Sequence, residues 1–259
     1  MIEEPRSWRL ERNGSTTYVG VRAEFACIAQ DAAANPRPYR HPAWQLVLGS
    51  DAPVAAREPR GTVTAPGVLV PAGLPREIRY PAGYVSLWID PHVFAAADRT
   101  RIRTLDRDRV RTLLAAVGSD LDPAPVRAAL HATLGADAAV DPRLRRALLL
   151  LDEQRPLDDL ATEVGLSPRR LRQLCAGTLG GSLTAVRRWH RLREAVLRFP
   201  FQSTAEIAAR TGFADQSHLV RTTVAMGGVT PGRIFAGARV TRSRDGVVVF
   251  GAVPNAPLA

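Results

Sequence analysis

Arg169, Arg170, Arg172 and Gln173 stand within five residues of one another, and further along the chain Gln216, Ser217 and Arg221, with Val220 among them, make a second group. Arginine offers a planar fork of N–H donors that matches guanine O6 and N7 in the major groove. The chemistry on offer is therefore the reading of base edges rather than bond making. Motifs that would support catalysis are missing, since the chain has no Gly-rich phosphate loop, no G-x-S-x-G elbow and no H-E-x-x-H. Ser217 and His218 are neighbours in sequence, which does not align their side chains in a relay.

Positioning such side chains takes two short helices and a turn, and that arrangement is written twice. Leu157, Leu160, Ala161 and Val164 follow the i, i+3, i+4, i+7 spacing of one helical face, and Gly165 ends the helix by adopting positive φ. Ser167 then supplies an N-cap, and Pro168 suits the first turn of the next helix. With Leu171 and Leu174 facing inward, the arginines and Gln173 are left outside. The second copy opens on Ser203 and Glu206 in capping-box spacing, runs through Ile207, Ala208 and Thr211, and turns at Gly212. Phe213 and Leu219 are its apolar anchors. Ala161 and Ala208 are 47 residues apart and Leu171 and Leu219 are 48 apart, so the second turn holds one extra residue. Between the copies Ala185, Trp189, Leu192 and Val196 keep helical spacing, which predicts a connecting helix from Ser182 to about Phe199. Two heads on one side of B-DNA would fall about 34 Å apart, one turn of the duplex.

Residues 142 to 235 resemble the DNA-binding domain of AraC-type (AraC/XylS family) transcription regulators. The resemblance rests on Leu160-Ala161, Gly165 and Ser167-Pro168-Arg169-Arg170-Leu171, then on Arg191-Leu192 with Ala195. It continues through Ile207-Ala208, Gly212-Phe213, Asp215-Gln216-Ser217-His218-Leu219, Arg221 and Gly228-Val229-Thr230-Pro231, the most specific stretch. Cys175 and Thr223 depart from the family's bulky aromatics, Gln173 replaces a common Arg, and Gly227 stands where an apolar residue is expected. Glycine within a helix costs up to ~1 kcal/mol relative to alanine.

Charge supports the same reading. The protein has 259 residues and a net charge of +10. From residue 143 onward there are 18 Arg against 9 acidic residues, whereas residues 1–142 hold 17 against 16. A basic domain attracts a polyanion, and Arg–phosphate contacts supply most of the sequence-independent affinity. Every cation is Arg, none is Lys, and each can therefore bind bidentately. The acidic start Met1-Ile2-Glu3-Glu4 lacks the organisation of a secretion signal, and no apolar run is long enough to span a bilayer. A cytoplasmic location without membrane contact is expected. Cys27 and Cys175 fit no metal spacing and read as reduced core thiols.

The first hundred residues read as short strands at residues 18–29, 45–48, 68–70, 77–80 and 84–89, closely punctuated by Gly and Pro. An antiparallel sandwich or barrel follows. His41-Pro42-Ala43-Trp44-Gln45-Leu46 with Val70-Pro71-Ala72-Gly73 is similar to the cupin-like barrel that AraC-type regulators often carry, which binds a small effector. Metal-binding cupins need several convergent His and Glu ligands. This half has only His41, His92 and His131, and Arg76 stands near a common His position, so neither a metal nor a cofactor is expected. His41, Trp44, Arg76, Tyr80 and Trp88 are the candidate ligand-binding residues, since aromatic walls with a few polar groups make small-molecule pockets. The same residues could equally be barrel core.

Apolar stripes at Val110, Leu113, Leu114, Val117 and at Val126, Ala129, Leu130, Leu134 predict helices that pack on the barrel, join the domains or form a dimer contact; the resemblance implies a homodimer. Leu144 and residues 147–151 begin the reading domain, and residues 247–250 could add a strand to a loose tail. The fold class expected is α+β: an N-terminal antiparallel β-barrel, cupin-like, and an all-α C-terminal domain with two helix-turn-helix units. Its divisions are residues 1–105 (sensor), 106–140 (linker or dimerisation), 141–236 (DNA binding) and 237–259 (tail). The function expected is a sequence-specific, non-enzymatic transcription regulator. Its expected partners are double-stranded DNA, a small-molecule effector and RNA polymerase. A cupin-type enzyme fused to a DNA-binding domain and an architectural DNA binder without effector are the alternatives.

Overall fold

The computed structural model describes residues 7–12, 15–21, 24–94, 96, 98–117, 123–135, 140–151, 155–235 and 239–242. Among these described residues ten strands come first: β1 (Ser7–Arg12), β2 (Ser15–Val21), β3 (Phe25–Gln30), β4 (Trp44–Gly49), β5 (Val54–Glu58), β6 (Gly61–Ala65), β7 (Gly67–Val70), β8 (Glu77–Arg79), β9 (Tyr84–Ile89) and β10 (Arg103–Leu105). Nine helices follow among them: α1 (Arg107–Val117), α2 (Pro123–Leu134), α3 (Pro142–Leu149), α4 (Leu157–Glu163), α5 (Pro168–Leu179), α6 (Leu183–Val196), α7 (Thr204–Arg210), α8 (Gln216–Gly227) and α9 (Pro231–Phe235). A last strand, β11 (Arg239–Arg242), ends the described chain.

The strands form two antiparallel sheets, one of eight strands in the order β10-β7-β4-β9-β3-β2-β1-β11 and one of three in the order β6-β5-β8. They do not close into the expected barrel. After β4 the chain bends at residues 50–52 and builds β5 and β6 into the smaller sheet, which pairs onward with β8. The large sheet ends on β10 at one edge and β11 at the other, with no ladder joining them among the described residues. β11 itself is unforeseen: it pairs antiparallel with β1, Trp8 opposite Arg242 and Glu11 opposite Arg239, so the chain returns to its first strand after the helical domain. The strand expected at residues 247–250 lies outside the described residues.

Central strand β4 is buried along its whole length, as its nearly unbroken apolar run requires. Side chains alternate across a strand. Trp44, Leu46 and Leu48 face a core shared with Phe25, Leu87 and Ile89, whereas Val47 joins Val68, Val70, Ile78 and Tyr80 on the side of the small sheet. Helices α1 and α2 cover the first face through Val110, Leu113, Val117, Val126, Ala129, Leu130 and Leu134. Their apolar stripes are thus consumed within this core. Two further cores divide the helical domain. One gathers α3, α4, α5 and the start of α6 (Leu144, Leu160, Leu171, Cys175, Val186); the other gathers the rest of α6, α7 and α8 (Trp189, Leu192, Ile207, Leu219) and includes Ala43 from the sheet domain.

Candidate nucleic-acid interface and the domain junction

Each head is built as its sequence prescribes. Gly165 takes φ 68° and Gly212 takes φ 70°, the left-handed conformation that turns each first helix into its second. The Ser167 hydroxyl accepts the Arg170 backbone N–H at 3.2 Å, and Pro168 fills the first turn of α5. In the second head Ser203 and Glu206 close a capping box, with the Ser203 N–H on Glu206 Oε2 at 2.9 Å. Helix α8 is capped by Asp215, whose Oδ1 accepts the His218 backbone N–H at 2.6 Å, and the His218 ring stands edge-on to Phe213. Cys175 and Thr223, the departures from the family pattern, are buried; Thr223 satisfies its hydroxyl on the Leu219 carbonyl. Gly227 is the final residue of α8, where a glycine costs less than in a helix interior.

Folding brings the expected reading residues to the outside of both heads. Arg169, Arg170, Arg172 and Gln173 are exposed on the first turns of α5, and Gln216, Ser217 and Arg221 are exposed on α8. Arg172 reaches Asp158 at 3.4 Å, a solvent-exposed pair of little worth that a duplex can displace.

The connecting helix does more than space the heads. Arg187 donates to the Arg155 carbonyl beside α4 at 2.7 Å, and Arg191 donates to the Gly212 carbonyl in the second turn at 2.9 Å. Arg193 turns to the sheet domain, donating to Asp90 Oδ2 at 2.5 Å and to the Phe25 carbonyl at 3.2 Å. Helical spacing alone leaves these arginines as one undifferentiated polar face, and only Arg193's burial sets it apart. Burial alone would raise the Asp90 carboxyl, but the Arg193 guanidinium, with the His190 ring beside it, holds it below the usual carboxylate range.

Beside this ion pair, four of the five candidate ligand residues gather. His41 Nε2 accepts Trp88 Nε1–H at 2.9 Å and lies 3.0 Å from Arg76 Nη1. With two donors aimed at it, Nε2 acts as acceptor and the ring is neutral. Burial, and then the Arg76 charge, hold the His41 pKa well below its ordinary value. Arg76 also donates to Gln45 Oε1 (3.1 Å) and to the carbonyls of Leu74 (2.8 Å) and Pro71 (3.1 Å). Gln45 continues to Ser86 and Tyr39, and Tyr39 stands 3.5 Å from the Tyr80 hydroxyl. Trp189 of α6 stacks on the His41 ring with centroids 4.9 Å apart. Trp44 is the exception: it occupies the opposite face of β4, against Phe94.

Arg76 is 2% exposed, and each of these acceptors is neutral. Desolvation lowers its pKa to about 10, so the guanidinium remains charged at neutral pH. Cys27 and Cys175 are buried and unpaired, with burial pushing both thiols up to about 12, which disfavours the reactive thiolate. Among the described residues no three His, Cys, Asp or Glu side chains cluster as metal ligands, and no helix is long and apolar enough to cross a membrane.

Comparison with known proteins places this geometry. Residues 160–237 match a family model described as a helix-turn-helix domain. No curated protein matches the chain. Among solved structures, an apo form of ToxT from Vibrio cholerae, carrying one substitution, is similar over 82% of this chain and 97% of its own, with a TM-score of 0.56 and 11% identity. Wild-type ToxT with a bound unsaturated fatty acid is similar over 90% and 96%, with a TM-score of 0.53 and 10% identity. The ToxT structure bound to (E)-4-(8-methylnaphthalen-1-yl)but-3-enoic acid gives 82%, 96%, 0.55 and 8%. At such identities the likeness establishes the fold. The matched model and the paired heads together show that residues 160–237 form a helix-turn-helix domain.

Proposed function

We propose that this chain is an AraC-type transcription regulator, that it reads an extended DNA site with both heads, and that an organic acid bound in the sheet domain controls it. Arg169, Arg172 and Gln173 read one half-site, with Arg170 beside them on the backbone, and Gln216, Ser217 and Arg221 read the other. Supporting this assignment, all seven side chains remain exposed while Leu171, Cys175 and Leu179 of α5 and Leu219, Thr222, Thr223 and Met226 of α8 are buried. Selection of bound duplexes from a random pool tests it by reporting site length, spacing and symmetry. One protomer using both heads gives a long asymmetric site, a homodimer a duplicated one; recovery of no sequence preference removes the assignment.

The effector reading is carried by Arg76, a buried cation whose hydrogen bonds all go to neutral acceptors. A carboxylate there would replace neutral partners with charge-assisted bonds, roughly twice as strong. His41, Tyr80 and Trp88 adjoin it, and Trp44 braces β4 from behind. The ToxT structures bound to carboxylic acids make the same ligand class reasonable for a shared fold. Thermal-shift measurements with carboxylic acids and their amides decide: stabilisation by acids alone, lost in Arg76→Met, is expected, and equal response to acids and amides refutes the anchor. Polymerase contact would be read from transcription in vitro on the selected site.

A further inference from the structure

Helices α5 and α8, the two probes, end alike. Each stops on a left-handed glycine, Gly180 at φ 60° and Gly228 at φ 75°, and each glycine is pressed against the sheet domain. A Cβ on Gly228 would lie 2.5 Å from the Arg37 carbonyl oxygen and 2.8 Å from Pro36, while one on Gly180 would lie 3.0 Å from the Ala72 carbonyl oxygen. The last carbonyls of a helix have no partner within it and carry the negative end of its dipole. Here the sheet domain supplies the donors. The Arg37 N–H bonds the Gly228 carbonyl and the Arg40 N–H bonds the Ala225 carbonyl, each at 2.9 Å. The Arg40 guanidinium donates to the Gly180 carbonyl at 2.6 Å, and Arg99 donates to the carbonyls of Gly177 (3.1 Å) and Thr178 (2.9 Å).

Arg40 thus holds both probes at once, α8 with its backbone and α5 with its side chain. Otherwise, among the described residues, the heads have separate apolar cores joined through α6. We infer that Arg40, supported by Arg99, is a positioning residue that sets the distance between the probe helices and so makes the regulator selective for half-site spacing. The inference rests on the two-headed reading of DNA. Two linked binding modules gain affinity only insofar as their link holds them at the separation their sites demand. Freeing the C-terminal end of α5 leaves each head intact and loosens that separation.

The test uses the full chain and the duplex recovered by selection, together with derivatives carrying base pairs inserted or removed between its half-sites. Arg40→Met keeps the aliphatic stem and deletes the donors to Gly180; Arg40→Met/Arg99→Met deletes those to Gly177 and Thr178 as well. For the double variant, affinity for the correctly spaced duplex is expected to fall by roughly tenfold, with binding to an isolated half-site changed by less than about twofold. Its discrimination against wrong spacing narrows, and Arg40→Lys restores part of it. Because Arg40 is exposed, the single variant carries the test if the double one unfolds. Unchanged spacing discrimination in the folded variants overturns the inference, as does an unaltered protein indifferent to spacing. Failure of the unaltered protein to select any duplex instead overturns the two-headed reading beneath it.

Discussion

Replacing Asp90 by Asn should release the helical domain from the sheet domain. Asp90 is 1% and Arg193 7% exposed, with 2.5 Å between Oδ2 and Nη1, and His190 Nε2 lies 3.6 Å from the same oxygen. With charge centres about 4 Å apart at an effective dielectric near 20, the gross attraction is about 4 kcal/mol. Desolvation of both ions offsets much of this, so the pair's net contribution is small while the loss of one partner is not. Leaving Arg193 buried and uncompensated costs about 3–5 kcal/mol. Asp90→Asn and Arg193→Met should each lose that amount in urea unfolding, and the double variant should recover much of it. Loss of the Trp189 contribution to tryptophan fluorescence, compared between the protein and its Trp189→Phe variant, reports undocking, since the Trp189 ring stacks on His41 across the junction. Acid should act in the same way: a carboxyl whose folded pKa is depressed stabilises above its unfolded value and ceases to do so as pH falls through the folded one. Single-variant losses that simply add, within about 0.5 kcal/mol, would refute the coupling.

Three other measurements follow from named contacts. Gly228→Ala should destabilise by more than the ~1–2 kcal/mol that positive φ alone costs, because the new Cβ meets the Arg37 carbonyl; thermal unfolding reads it. His41 is buried neutral, so the unfolded chain binds a proton that the folded one refuses, and stability should fall as pH drops below about 6.5, by up to ~1.4 kcal/mol per unit. His41→Gln should flatten that slope in urea titrations, leaving the smaller share of His92, which is shifted the same way. Arg172→Ala should cost ~1–3 kcal/mol on the selected duplex and much less on a scrambled one; equal losses would move Arg172 to the phosphate-binding set.

Local chemistry made the heads legible in the sequence. Ser167-Pro168, the Ser203/Glu206 box and the two turn glycines act over three or four residues, so their spacing alone specifies geometry. His41, Arg76 and Trp88 were recognisable as a group, but Gln45 and Ser86 were not, because their inward direction depends on the register of β4 against β9. Trp44 fell on the other face by the same alternation, one residue from Gln45. The open sandwich was hidden for a related reason: closure depends on which edges pair, and the partner of β1 lies more than two hundred residues away in β11.

On the proposed function, the junction would let the sheet domain and the helical domain communicate without a linker. His41 sits one residue beyond Arg40 in the chain; its ring meets Arg76, Trp88 and Trp189, while Arg40 grips α5 and α8. A ligand that drew Arg76 away from His41 would disturb the residue next to the one holding both probes. Coupling of this kind requires the two states to differ in contact energy at the segment, and here one residue step separates the two sets of contacts. The linkage is reciprocal, so operator DNA that fixes the probe spacing should also tighten or weaken acid binding by the same factor. Measuring acid affinity with and without the selected duplex checks this: an unchanged affinity, with both ligands bound, would mean that the segment transmits nothing.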